Sequence, residues 1–123
     1  MSTGRVIPVL RIFDAAKALE FYRDFLGFKV DWEHRFEDGL PLYMQVSHAG
    51  CLLHLSEHFG DACPGAQVRI ETEGLPAYQE QLLAKQYKNA RPGLVEVAWG
   101  GHEMRLTDPF GNRLSFHGPM EES

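Results

Sequence analysis

His54, Ser56, Glu57 and His58 place two imidazoles, a hydroxyl and a carboxylate close together near the middle of the chain. Those side chains serve nucleophilic relays and metal ligation, and spacing decides what they can do here. Cys51 to Ser56 reads as a strand, on which His54 and Ser56 share a face while Glu57 points away. Adjacent strand residues of this kind do not line up as a Ser–His–acid relay. His54 and His58 are four apart, a separation that brings ligands together on a helix, but the segment runs from strand into loop. His34 and His102 add further imidazoles without a spaced metal pattern. Cys51 and Cys63 form no Cys-x-x-Cys pair and read as reduced packing residues.

A second group consists of Arg11, Arg69, Arg105 and Arg113 with Ser115. Period-two alternation along the strands that carry them puts these residues on the same faces as His54, Ser56, Gln67, Glu103 and Thr107. The opposite faces carry Leu10, Ile12, Leu53, Leu55, Val68, Ile70, Met104, Leu106, Leu114 and Phe116, a pattern that packs against helices. One side is a core and the other is polar, the composition of a small-molecule site. Trp32, Phe36, Tyr43, Phe59, Trp99 and Phe110 fall near strand ends or loops, where rings can stack on a ligand. The arginines must be hydrated or paired, and Glu103 and Glu57 are the carboxylates nearest in the pattern.

These residues depend on a repeating set of elements. Gly4 to Ile12 reads as a strand, and Asp14 stands where a helix cap belongs. Ala18, Phe21, Tyr22 and Phe25 give one apolar helix face, which Gly27 ends. Lys29 to Phe36, Leu42 to Ser47 and Cys51 to Ser56 read as strands, completing β-α-β-β-β over residues 4–57. The same order returns over residues 66–118: Val68 to Ile70, a helix marked by Leu75, Tyr78 and Leu82, then Leu94 to Trp99, Glu103 to Thr107 and Arg113 to His117. Arg11-Ile12 recurs as Arg69-Ile70, 58 residues later (69 minus 11). The expectation is an α+β fold: two βαβββ modules in a single domain over residues 1–123, forming a curved mixed sheet around a concave cleft with helices outside.

The chain has 123 residues, 44% of them hydrophobic and 24% charged, ordinary usage for a globular domain. Twelve Lys plus Arg against seventeen Asp plus Glu give a net charge of −5 with no basic cluster, which disfavours nucleic acid as a partner. No apolar run approaches the ~20 residues of a membrane helix. The first residues lack the regions of a signal peptide, so the reading is cytoplasmic.

Ile7-Pro8-Val9-Leu10-Arg11 with Asp14, Phe21-Tyr22-Arg23-Asp24-Phe25-Leu26-Gly27-Phe28, and Thr107-Asp108-Pro109-Phe110-Gly111-Asn112-Arg113-Leu114 together resemble the vicinal oxygen chelate superfamily. That superfamily includes glyoxalases, dioxygenases and bleomycin resistance proteins, and the resemblance covers roughly residues 4–118. It implies the paired-module fold. It also implies four metal-ligand positions, which fall here on Ile7, His54, about Gly65, and Ser115. Only His54 is a ligand type, so the resemblance points to a protein with no metal and no other cofactor. The closest kind is the bleomycin resistance protein, which sequesters a cationic drug in clefts of a homodimer. The ligand-binding residues this implies are His54, Ser56, Glu57, Arg11, Arg69, Arg105, Arg113, Ser115, Trp32 and Trp99, and none is assigned a catalytic role. The alternative is a metal-dependent lyase or dioxygenase with a non-standard site around His54.

Overall fold

Asp14 stops the first strand and starts the first helix, because its carboxylate accepts the Lys17 backbone N–H at 2.9 Å from an extended backbone. In the computed structural model, which describes residues 2–98 and 100–119, the first strand is β1 (Val9–Arg11). Helix α1 (Ala15–Leu19) continues as a π-helical stretch, Glu20–Phe25. The Leu26 N–H reaches back to the Phe21 carbonyl, and Gly27, at φ +88°, ends the helix. Strands β2 (Lys29–His34), β3 (Tyr43–His48) and β4 (Cys51–Ser56) follow.

The chain divides into two compact units, Met1–Pro64 and Gly65–Ser123. The first holds a four-stranded sheet in the order β1-β4-β3-β2, with β1 parallel to β4 and the remaining pairs antiparallel. Leu10, Met44, Val46, Leu53 and Leu55 are all buried on one face of it, and Phe21, Tyr22, Phe25 and Leu26 of the helix are buried too. Regular β1 is shorter than the expected strand, yet Pro8 and Ile12 still bond to His54 and Ser56 through their backbones.

The second unit repeats the plan with β5 (Gln67–Glu71), α2 (Leu75–Ala84), β6 (Leu94–Glu96), β7 (His102–Thr107) and β8 (Arg113–Gly118). Its sheet order is β5-β8-β7-β6, with β5 parallel to β8. Val68 and Ile70 share a face with Leu114 and Phe116, which Tyr78 of α2 meets edge to face at 5.6 Å. The turn before β8 is closed by Asp108, whose carboxylate accepts the backbone N–H groups of Phe110 at 2.9 Å and Asn112 at 2.8 Å. Gly111 supplies the positive φ, +91°, that this turn requires. The observed architecture is the α+β pair of βαβββ modules, each with its own four-stranded sheet.

Candidate functional site

Strand pairing places His54 beside Gln45, Gln45 beside Trp32, and Val9 on the other side of His54. These residues occupy the polar face of the first sheet. Between Val30 and Trp32 the β2 ladder shifts by one residue, a bulge whose extra residue is Asp31. The bulge lets Asp31 and Trp32, neighbours in sequence, both serve the polar face: Asp31 bonds Gln45 and Ser47, while Trp32 stands opposite Gln45.

The result is a directed hydrogen-bond chain. Asp31 accepts from the Gln45 amide nitrogen and from the Ser47 hydroxyl, each at 3.0 Å. Those two bonds lower the Asp31 pKa from its ordinary 3.8, so the group is an ionised acceptor at neutral pH. With its NH₂ turned to Asp31, Gln45 presents its Oε1 to His54 Nε2 at 3.0 Å. Nε2 therefore carries the proton. Burial lowers the His54 pKa below its ordinary 6.5, which makes the neutral ring the stable form, and Nδ1 accepts from the Tyr43 hydroxyl at 2.7 Å. Tyr43 keeps its proton, because burial and then the charge of Asp61 raise its pKa above 10.0.

An aromatic platform lies over this chain. The Trp32 indole stacks on the Tyr43 ring at 6.0 Å between centroids and 12° between planes, and meets the His54 ring edge to face at 5.3 Å. Trp32 is 42% exposed, so its outer surface is open to solvent.

Ser56 and Glu57 are engaged elsewhere. Ser56 is fully buried, donates to Asp61 at 2.7 Å and accepts the His58 backbone N–H at 3.0 Å, which fixes the start of the loop after β4. Glu57 accepts the Leu42 backbone N–H at 2.9 Å, with Arg35 at 3.6 Å. Arg11 is paired in register with Ser56, and its guanidinium lies 4.7 Å from the Phe13 ring centre. In the second unit Arg69, Ser115 and Arg105 form one row across three strands, and both arginines reach Glu103. Arg113 is exposed at the start of β8, opposite Gln67 and Thr107. Trp99 lies outside the described residues.

The sequence pattern gave no site role to Asp31, Gln45 or Ser47, the last only the end of a strand, and placed Tyr43 only as a ring near a strand end. The alternation Tyr43, Gln45, Ser47 carried the signal for three of these, while nothing in the sequence marks Asp31 as a bulge.

The residues at the implied metal positions do not fit a metal. Ile7 and Gly65 bring no side-chain donor, Ser115 brings a neutral hydroxyl, and both nitrogens of His54 are taken by Tyr43 and Gln45. Among the described residues no group of three or more His, Cys, Asp or Glu side chains is placed to hold a metal ion.

Solved structures with this fold include TnmS3, an antibiotic-binding protein from Streptomyces sp. CB03234 (22% identity, TM-score 0.73, covering 97% of this chain and 98% of that one). A bleomycin-binding protein complexed with bleomycin is similar at 21% identity and TM-score 0.70, over 94% of this chain and 98% of that one. The bleomycin resistance determinant encoded on transposon Tn5 is similar at 19% identity and TM-score 0.71, over 97% and 100% of the two chains. No curated protein sequence matches the chain. The family model described as "Glyoxalase superfamily protein" matches residues 1–122, nearly the whole length, and the chain belongs to that superfamily.

Proposed function

We propose that the protein binds and sequesters a small molecule, as a cytoplasmic homodimer, without using a metal or changing the ligand chemically. One observation carries this reading: Trp32 stacks on Tyr43 with its outer surface open, above a hydrogen-bond chain already complete within the protein. Such a surface takes a flat ring by stacking. The Tyr43 hydroxyl donates to His54, so its oxygen remains an acceptor for a ligand N–H or O–H. His54 holds its proton on the nitrogen facing Gln45 and receives one at the other, which suits a positioning group and not a general base. The ligands named for similar structures, bleomycin and an antibiotic, support a drug-like occupant, and the net charge of −5 favours the approach of a cationic one.

The test is a titration of the full chain with metal-free bleomycin, and separately with zinc, nickel and manganese, before and after EDTA. Melting temperature is followed throughout, and Trp32 fluorescence is isolated by Trp99→Phe. The expected result is quenching and a higher melting temperature with the drug, unaffected by EDTA, worth about 2.7 kcal/mol at a hundred times Kd. Stabilisation by metal alone, reversed by EDTA, would overturn the reading in favour of a metal-dependent enzyme. Silence toward drug and metals alike would overturn it in favour of a fold kept for protein contacts. Sedimentation velocity reads the oligomeric state, with a dimer expected.

A further inference from the structure

The polar face of the second unit is built of rows that cross β5, β8 and β7: Gln67–Arg113–Thr107, Arg69–Ser115–Arg105 and Glu71–His117–Glu103. Its formal charges are three arginines against two glutamates, an excess of one positive charge. We propose that Arg69 and Arg105 form a subsite for a small oxyanion, the carboxylate or phosphate group of a ligand. The inference goes beyond the proposed function and does not rest on it, because it uses neither Trp32 nor His54.

Ser115 is the short residue between the two arginines, and its size leaves room for the long side chains to converge. They meet on a single oxygen: Arg69 Nη1 lies 3.1 Å and Arg105 Nε 3.3 Å from Oε1 of Glu103. Glu103 is a fixed post, with its side chain only 3% exposed, whereas the arginine side chains are 43% and 57% exposed. Neither guanidinium engages Glu103 in the two-pronged manner that would use both carboxylate oxygens, and among the described residues Oε2 has no hydrogen-bond partner. Among the described residues, most of each guanidinium's donors therefore remain for a second anion. Two cations anchored to one carboxylate also repel each other, and an oxyanion between their open edges relieves that repulsion. The buried post limits their motion, so less freedom is lost when the anion arrives.

The probes are inorganic phosphate and acetate, titrated calorimetrically into the full chain at constant ionic strength set with chloride. Saturable binding of at least one is expected, and the tighter of the two identifies the group the subsite prefers. Arg69→Gln and Arg105→Gln should each weaken it by about tenfold or more, as expected on losing a charged hydrogen bond. Arg91→Gln, an exposed arginine outside this face, should leave it unchanged. Arginine Nε–H resonances of the unaltered protein give a readout that needs no variant: phosphate or acetate should shift those of Arg69 and Arg105. No saturable heat with either anion, affinity that survives both substitutions, or shifts confined to other arginines would overturn the proposal. Because the bleomycin titration reads Trp32, either experiment can fail while the other succeeds.

Discussion

The Tyr43 hydroxyl sits 2.7 Å from Nδ1 of His54, on the opposite edge of the ring from Gln45, and the two neighbours together dictate which tautomer the histidine adopts. Tyr43→Phe keeps a ring under Trp32 but removes the donor, leaving Nδ1 a half-buried acceptor. A loss of about 1 kcal/mol in urea unfolding is expected. Nitrogen NMR should still show the proton on Nε2, held there by Gln45. Gln45→Leu should instead yield a tautomer mixture, and an unchanged spectrum in that variant would disprove the assignment.

Stability should fall with acid in two separate steps. Burial lowers the His54 pKa in the folded protein, so between that value and the ordinary 6.5 the unfolded chain binds more protons. The His54 contribution is thus intact above pH 6.5 and is lost as pH falls below it. Burial alone would raise the Glu103 pKa, but the Arg105 hydrogen bond and the charges of Arg69 and Arg105 outweigh it and hold the group below 4.5. Its contribution is present above 4.5 and is lost on further acidification. Urea midpoints measured against pH should lose the upper step in His54→Gln, and the lower step should shrink in Glu103→Gln to what Asp31, whose pKa is also lowered, still contributes.

Ser56 ties the end of β4 to the following loop through Asp61. Ser56→Ala leaves Asp61 short of a donor and the His58 N–H short of an acceptor, at a cost of about 1–3 kcal/mol. Asp61→Ala breaks the same link, so the double variant should lose less than the sum of the two. Strict additivity in that cycle would mean the two side chains act independently.

Gly101 adopts φ +99°, and a Cβ there would collide with the backbone carbonyl of Gly118. Backbone cannot swing aside as a flexible side chain can, and the conformation itself is strained for any other residue. Gly101→Ala is expected to cost about 1–3 kcal/mol in thermal unfolding. Gly4→Ala, at a position with nothing within 4 Å, should be neutral.

Alternation made the core legible from the sequence. Leu10, Leu53 and Leu55 in the first unit, and Met104, Leu106 and Leu114 in the second, are buried as the period-two pattern demands. Asp14 and the Asp108 turn were equally readable, since their chemistry is local. The site was only half legible. His54 and the arginine row follow from alternation, yet the partners of His54 depend on Asp31, and a bulge leaves no mark in residue types. Strict alternation along β2 would put Trp32 on the face of Val30, whereas the ladder puts it opposite Gln45. Ser56 and Glu57 look like chemistry in the sequence because they adjoin His54. Their carboxylate and hydroxyl serve the neighbouring backbone and Asp61, contacts that only the path of the loop reveals.

Asp31 is an extra residue between two stretches of ladder that are otherwise in phase, so Val30 would still oppose Val46, and Trp32 would still oppose Gln45, in a chain that lacked it. A single-codon deletion at this point would leave the core and the indole where they are while releasing the Gln45 amide to flip. Evolution can therefore install or erase control over the histidine proton in one step, without disturbing the sheet that carries it.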